Sequence, residues 1–268
     1  MFIDIHVHPA FYEPINEDPV KEDLRHDALD IHKNGTAPLE HIFNQMKCAG
    51  LDKLCLLPED YSGSVGCLVS NEEIKKLVDM APDKFIGFAS VDPRDPAACE
   101  KLEDAFTRLG LKGLKLHPGR QQVMPADPVM EPIYAICEKY NKPILFHAFV
   151  KAVGQLQHET TSYHIRHVAE RYPEAKIIMA HLGGEPYHAI RNVAHLKNVW
   201  IDHSGTLVGS NDLNHTIDLV GVDRVLFGSD MPITYAGAYG QVLEAKLTEE
   251  ERQKIFWKNT AELFGEGF

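Results

Sequence analysis

Eight short, apolar, β-branched-rich runs recur along this chain, and their spacing limits the possible folds more than any other feature. They cover residues 2–8, 53–57, 85–91, 113–117, 143–149, 177–182, 199–203 and 225–229, and most end at turn-forming residues such as Pro9, Pro58, Pro93, Pro118, Gly183 and Gly205. Between them, helical periodicity predicts helices over 39–48, 72–80, 96–109, 129–140, 162–172, 187–196, 212–220 and 248–264. Thr248, with Glu251 three residues later, is a capping box opening the last of these. Strands that alternate with helices require a parallel sheet, because each crossover returns the chain to the same edge. Eight such units in 268 residues predict an α/β fold, a closed (β/α)₈ TIM-type barrel in one domain, with an open doubly wound sheet second.

The formal net charge of -12 argues against a nucleic-acid or anionic-membrane partner, since both need a basic face. A small-molecule substrate, even an anionic one, is compatible with it, because a metal ion and a few cations reverse the field locally. Nothing in these numbers opposes a homo-oligomer. The five cysteines, Cys48, Cys55, Cys67, Cys99 and Cys137, are odd in number and contain no CxxC pair, which predicts reduced thiols. MFIDIHVHP has no basic segment leading into an apolar run, and no apolar stretch approaches the ~18–20 residues that span a bilayer, so a soluble cytoplasmic protein is expected. Residues 9–35, rich in charge and proline, follow the first strand and are expected to form a lid or substrate-contacting loop.

The 15 histidines are the unusual part of the composition. In a strand, residues i and i+2 share a face, so His6 and His8 stand side by side at the carboxyl end of the first run, with Ile5 and Val7 expected to point toward the helices. Two imidazoles on a stiff element suit a divalent metal, although HxH alone is a moderate signal. Three later runs also end in residues that bind metals: ILFH in His147, IIMAH in His181 and VLFGSD in Asp230. The carboxyl ends of barrel strands are where such folds build active sites. His203 and Asp202 compete for the inward position on the seventh strand, and His203 is preferred. The other histidines, His26, His32 and His158 among them, fall in loops or helices, where solvent-facing roles are the ordinary reading.

DIHVHP, GLKLHPG, LFHAF, AHLGG and LFGSDMP, in that order, followed by a terminal helix bearing Asn259, Leu263 and Phe264, resemble the amidohydrolase superfamily. The resemblance is to its amidohydrolase-related group of metal-dependent hydrolases and decarboxylases. It implies that His6, His8, His147 and Asp230 bind one divalent metal ion, zinc first and manganese second, and that Asp230 and His181 are the catalytic acid/base residues. In two-metal relatives the residue matching His181 is itself a ligand. Lys115 sits two positions earlier than a carboxylated bridging lysine should, so a single metal is favoured. Lys115, His117, Arg120 and His203 are then the expected substrate-binding residues. The first functional expectation is hydrolysis of a small amide, ester or lactone by metal-activated water. The second is decarboxylation of a small carboxylic acid, aromatic or not. A barrel reduced to a scaffold is disfavoured, since no expected ligand is missing.

Overall fold

In the computed structural model of the chain, which describes residues 1–29, 35–150, 154–205, 209, 211–232 and 235–265, the eight runs become eight parallel strands. They are β1 (Ile3–Val7), β2 (Lys53–Leu56), β3 (Phe85–Gly87), β4 (Leu114–Leu116), β5 (Ile144–Phe146), β6 (Ile177–Met179), β7 (Val199–Asp202) and β8 (Val225–Leu226). Ladders join β1 to β2 to β3, and β4 through β8 in order. Parallel bridges close the two gaps, Ala89 to Leu114 between β3 and β4 and Val7 to Met231 between β1 and the end of β8. Backbone bonds reinforce the second seam: Ile5 N–H donates to Phe227 O at 3.0 Å and Asp230 N–H to His6 O at 3.0 Å. The sheet therefore has no free edge and is a (β/α)₈ barrel.

Two apolar layers follow from the alternation of each strand. One set, including Ile3, Ile5, Cys55, Phe88, Leu145 and Ile178, fills the barrel and is covered below by Leu263 of the terminal helix. The other faces the helices and includes Val7, Leu56, Phe146, Met179, Ile201 and Phe227. β1 departs from simple alternation. Its pairing with β2 shifts register between Asp4 and Val7, so two residues, Ile5 and His6, lie between outward-facing neighbours. Ile5, expected against the helices, is instead part of the interior plug. Bulges of this kind re-aim side chains next to active sites, and here the bulge brings His6 into the barrel directly above Ile5.

The predicted helices are present with ends shifted by a few residues, among them Leu39–Ala49, Asn71–Met80, Ala98–Thr107 and Asp212–Val220. Thr248 caps the last one as expected, with its side chain accepting from Glu251 N. A helix over Tyr235–Glu244, not anticipated, follows β8. Among the described residues no helix is long and apolar enough to cross a membrane, and all five cysteines are free.

The segment after β1 is more ordered than a loop: it holds the helix Pro19–Ala28, capped by Asp18. The predicted lid extends over residues 30–34 and His32, which lie outside the described residues. Buried Arg25 ties this segment down, donating to Leu68 O at 2.6 Å, Asn16 Oδ1 at 2.8 Å and Glu73 Oε1 at 2.7 Å. Leu68 belongs to an unpredicted antiparallel hairpin, Glu59–Tyr61 with Gly66–Val69, which follows β2 and overhangs the barrel mouth. Removing one partner of a buried charge network typically costs about 3–5 kcal/mol. Arg25→Met is therefore expected to lower the melting temperature by roughly 5–10 °C, measured by circular dichroism; an unchanged melting temperature would show that Arg25 does not hold these segments.

Candidate active site

The carboxyl ends of the strands deliver the site. His6 and His8 rise from β1, Lys115 and His117 from β4, His147 from β5, Asp202 from β7 and Asp230 from the end of β8. Gly228 lets the first and seventh strands approach: a Cβ there would lie 3.1 Å from His6 Cβ and 3.2 Å from the Asp202 carboxyl carbon. His181 shares the parity of outward-facing Ile177 and Met179, so alternation alone would turn it away. Left-handed backbone at His181 (φ 59°) and Leu182 (φ 52°) turns it inward, and Asp230 has the same conformation (φ 61°). Each such non-glycine residue costs on the order of 1–3 kcal/mol and is held only where surroundings over-determine it.

Three donors converge. His6 Nε2 lies 3.2 Å from His8 Nε2, and Asp230 Oδ1 lies 3.6 Å from the first and 3.3 Å from the second. Donors on one tetrahedral ion with bonds of about 2.1 Å sit about 3.4 Å apart, so the spacing fits a divalent cation. The far nitrogens fit it too. His6 Nδ1 lies 2.8 Å from Asp202 Oδ2, and His8 Nδ1 lies 3.2 Å from Glu59 Oε1. A proton on each Nδ1, assigned from these partners, makes Nε2 the nitrogen that each ring offers to a cation beside Asp230.

His147 and His181 adjoin this cluster, with His147 Nδ1 3.1 Å from His181 Nε2. The ring of His181 lies 4.9 Å from that of His6. His181 Nδ1 lies 2.9 Å from Ser204 Oγ and 3.3 Å from Ser204 O, so Ser204 holds the ring with both its hydroxyl and its carbonyl. Lys115, buried in the barrel, brings Nζ to 3.2 Å from His6 Nε2.

The electrostatics favour an added positive charge. Burial lowers the pKa of His8, but Glu59 and Asp230 outweigh it and raise the value to about 9. Burial pushes His6 down to about 3, with Lys115 adding to the effect. Burial also draws Lys115 down to about 8, although Asp230, Asp202 and Glu59 oppose it. Asp230 resists the burial that would raise it and is held well below the usual carboxylate range by His8, His181 and His6. His181 is lowered by burial, so its imidazole is neutral.

The structure thus brings His6, His8, Asp230, His181 and His147 to one place, with Lys115 among them. His117 stacks on His147, the ring centroids 3.9 Å apart, and Arg120 lies over the Tyr61 ring at 5.7 Å. His203 is a correction. It faces the helix layer, with Nδ1 3.3 Å from Gln241 Oε1 and its ring edge-on to Phe227. Asp202 holds the inward position. The signal was in the sequence: His203 shares the parity of Val199 and Ile201, both packed against the helices. Glu59 and Glu159 were missed as well: Glu59 opens the short strand of an unpredicted hairpin, Glu159 lies in a segment without regular structure, and neither carries a periodicity that marks an inward face. Glu159 Oε1 lies 2.8 Å from His147 Nε2.

The chain is similar to known proteins. Over 237 residues the chain is 23% identical to a 2-amino-3-carboxymuconate-6-semialdehyde decarboxylase from Dictyostelium discoideum, covering 73% of this chain and 65% of that protein, just under two thirds of its length. The structure superposes on 5-carboxyvanillate decarboxylase from Sphingomonas paucimobilis with a TM-score of 0.76 at 17% identity, covering 98% of each chain. It superposes on the Novosphingobium aromaticivorans 5-carboxyvanillate decarboxylase, crystallised with manganese and 4-hydroxy-3-methoxy-5-nitrobenzoic acid, with a TM-score of 0.77 at 18% identity, covering 98% of this chain and 96% of that one. At such identities these structural matches speak for the barrel fold. The profile of the amidohydrolase family matches residues 3–265, nearly the whole chain, and the protein belongs to that family.

Proposed function

We propose that this protein is a metal-dependent decarboxylase acting on a small, planar carboxylic acid. The observation that carries the reading is the convergence of His6 Nε2, His8 Nε2 and Asp230 Oδ1 at tetrahedral spacing, with a carboxylate behind each imidazole. His147 completes the donor set through Nδ1. Nitrogen and oxygen donors of this kind suit zinc or manganese, and manganese in a superposing decarboxylase favours the latter. We read the site as mononuclear, with Lys115 as a cation beside the metal. The names of the similar proteins favour decarboxylation over the hydrolysis first expected from sequence.

When bound, the cation supplies an electrophile for the substrate's carboxylate and an adjacent oxygen. The chain's own residues do the rest. Lys115 and Arg120 offset the negative charge of the acid, and Tyr61, His117 and Phe149 present flat faces near its plane. As the carbon–carboxylate bond breaks, carbon dioxide leaves and the electron pair stays on the ring or chain carbon. That carbon takes a proton from His181 Nε2 while Nδ1 takes one from the Ser204 hydroxyl, so the imidazole stays neutral and solvent resupplies Ser204. Hydrolysis would use the same donors with water as nucleophile and would release no carbon dioxide.

The direct test supplies the manganese- or zinc-loaded protein with small aromatic carboxylic acids, lactones and amides while carbon dioxide is followed. Turnover of lactones or amides without carbon dioxide release would replace this reading with hydrolysis. His6→Ala combined with His8→Ala is expected to strip the metal and leave the circular dichroism spectrum unchanged; metal retained at the wild-type level would remove the ligand assignment. Wild-type protein is expected to carry about one equivalent of metal, and Lys115→Ala to keep it; two equivalents, one lost with Lys115, would make the site binuclear.

His181→Asn is expected to keep metal and lose at least ~10²-fold in turnover, the scale of a lost general acid. Asp230→Asn is expected to weaken metal binding as well. Loss of metal from the His181 variant would make it a ligand instead. The pKa of His8, raised to about 9, sets the pH response. Below that value the imidazole holds a proton that a cation must displace, so metal affinity is expected to fall as pH falls, by up to about tenfold per unit. Isothermal titration with Mn²⁺ at several pH values reads this slope, and a flat profile would contradict the assigned proton.

A further inference from the structure

His6 and His8 meet Asp230 through Nε2, whereas His147 turns Nδ1 to His181, 3.1 Å from its Nε2, and sends its own Nε2 the other way. That outward nitrogen lies in a buried region, 2.8 Å from Oε1 of Glu159, which is itself only 3% exposed. We propose that Glu159 is a positioning residue that holds the proton of His147 on Nε2 and so presents the Nδ1 lone pair to the metal. The inference rests on the metal reading above and adds to it a residue outside the ligand set.

Two lone pairs 2.8 Å apart repel, and a proton on Nε2 turns the same contact into an attraction. Neither group tolerates solitude: a buried N–H and a buried carboxylate both carry a desolvation cost that a partner offsets. The backbone that carries this carboxylate is held from both sides. Glu159 N–H donates to Leu156 O at 3.2 Å, and Phe149 N–H donates to Thr160 O at 2.9 Å, which ties Thr160 to the chain just past β5. On the other side Gly119 admits it closely, since a Cβ there would meet Leu156 at 3.1 Å and Glu159 Cα at 3.4 Å. The same logic operates at Asp202 behind His6 and Glu59 behind His8, so each of the three imidazoles is backed by an acid from a different part of the chain.

A second metal ion on His117, His147 and Glu159 is the competing use of these groups, whose donor atoms lie within 4.8 Å of one another. The geometry opposes it. The His117 and His147 rings are stacked with an interplanar angle of 11°, so their lone pairs lie in nearly parallel planes and do not converge on one ion.

The test compares the full-length protein with Glu159→Leu, Glu159→Gln and His147→Ala, using Mn²⁺ or Zn²⁺ alone in competition with a chromophoric chelator. Folding is checked by circular dichroism. Glu159→Leu is expected to weaken metal binding about 10–100-fold, the usual effect of removing such a partner. Glu159→Gln, whose amide oxygen still accepts from Nε2–H, is expected to lose less than the leucine variant. Wild-type affinity in a folded Glu159→Leu protein would overturn the proposal, and so would a loss as complete as that of His147→Ala, which would make Glu159 a ligand. The second measurement needs no metal: ¹⁵N chemical shifts of His147 in the metal-free wild-type protein should report the Nε2–H tautomer, and an Nδ1–H tautomer would overturn the proposal whatever the variants do. If the wild-type chain bound no metal, the metal reading would fail on that result alone, while the tautomer would still decide the role of Glu159.

Discussion

The seam between the first and last strands is the constraint on which the remaining structure depends. Ile5, His8 and Asp230 donate backbone N–H groups across it to Phe227, Met231 and His6, at 3.0 Å in each case. Asp4 locks it at the base of the site, accepting from His6 N and Ser229 N at 3.1 and 3.0 Å and from Ser229 Oγ. Burial raises the pKa of that carboxyl to about 7, against the pull of those hydrogen bonds. Without the seam the sheet would be open, and the residues that begin and end the strand series, His6, His8 and Asp230, would lie at opposite edges. Closure is what brings Asp230 to His6 and His8, more than two hundred positions earlier in the chain, and makes the three into one donor set.

Once gathered, these groups create an electrostatic condition of their own. Asp202, Glu59 and Asp230 are drawn out of water together with His6, His8 and Lys115. Carboxylates in such surroundings are stable only beside positive charge. The lowered pKa values of Asp230 and Glu59, and the raised one of His8, express that demand through the protons this chain has available. A divalent cation meets the same demand with fixed geometry, and a site that attracts it also attracts the acid group of a substrate to its open side. Structure and proposed chemistry are connected by this charge balance.

Local pattern carried the architecture well. Period-two apolar runs and the helical stripes between them recover all eight strands, because both signals arise from burial on a defined face. What was misjudged lay where that signal is absent or misleading. The hairpin Glu59–Tyr61 with Gly66–Val69 and the helix Pro19–Ala28 fall in polar segments, and their position depends on Arg25, whose partners are 9 to 48 residues away. In β1 the bulge sends Ile5 inward against strict alternation. In β7 the alternation was obeyed, and it assigns Asp202 rather than His203 to the site.

By itself the sequence determined the barrel and the residues at its strand ends: His6, His8, Lys115, His117, His147, His181 and Asp230 each lie at or within two residues of the carboxyl end of an apolar run, and that is a local property. Only the tertiary structure decided which nitrogen of each histidine faces the centre. That choice belongs to Asp202, Glu59 and Glu159, which come from distant strands and loops and act through contacts of 2.8 to 3.2 Å. Only the tertiary structure, likewise, turned His181 inward through left-handed backbone that its strand pattern opposes. The physical reason is the range of the forces involved. Burial of a strand face repeats every second residue and is written along the chain, whereas the pairing of desolvated charges is settled only when the barrel closes and brings remote groups within a hydrogen bond of one another.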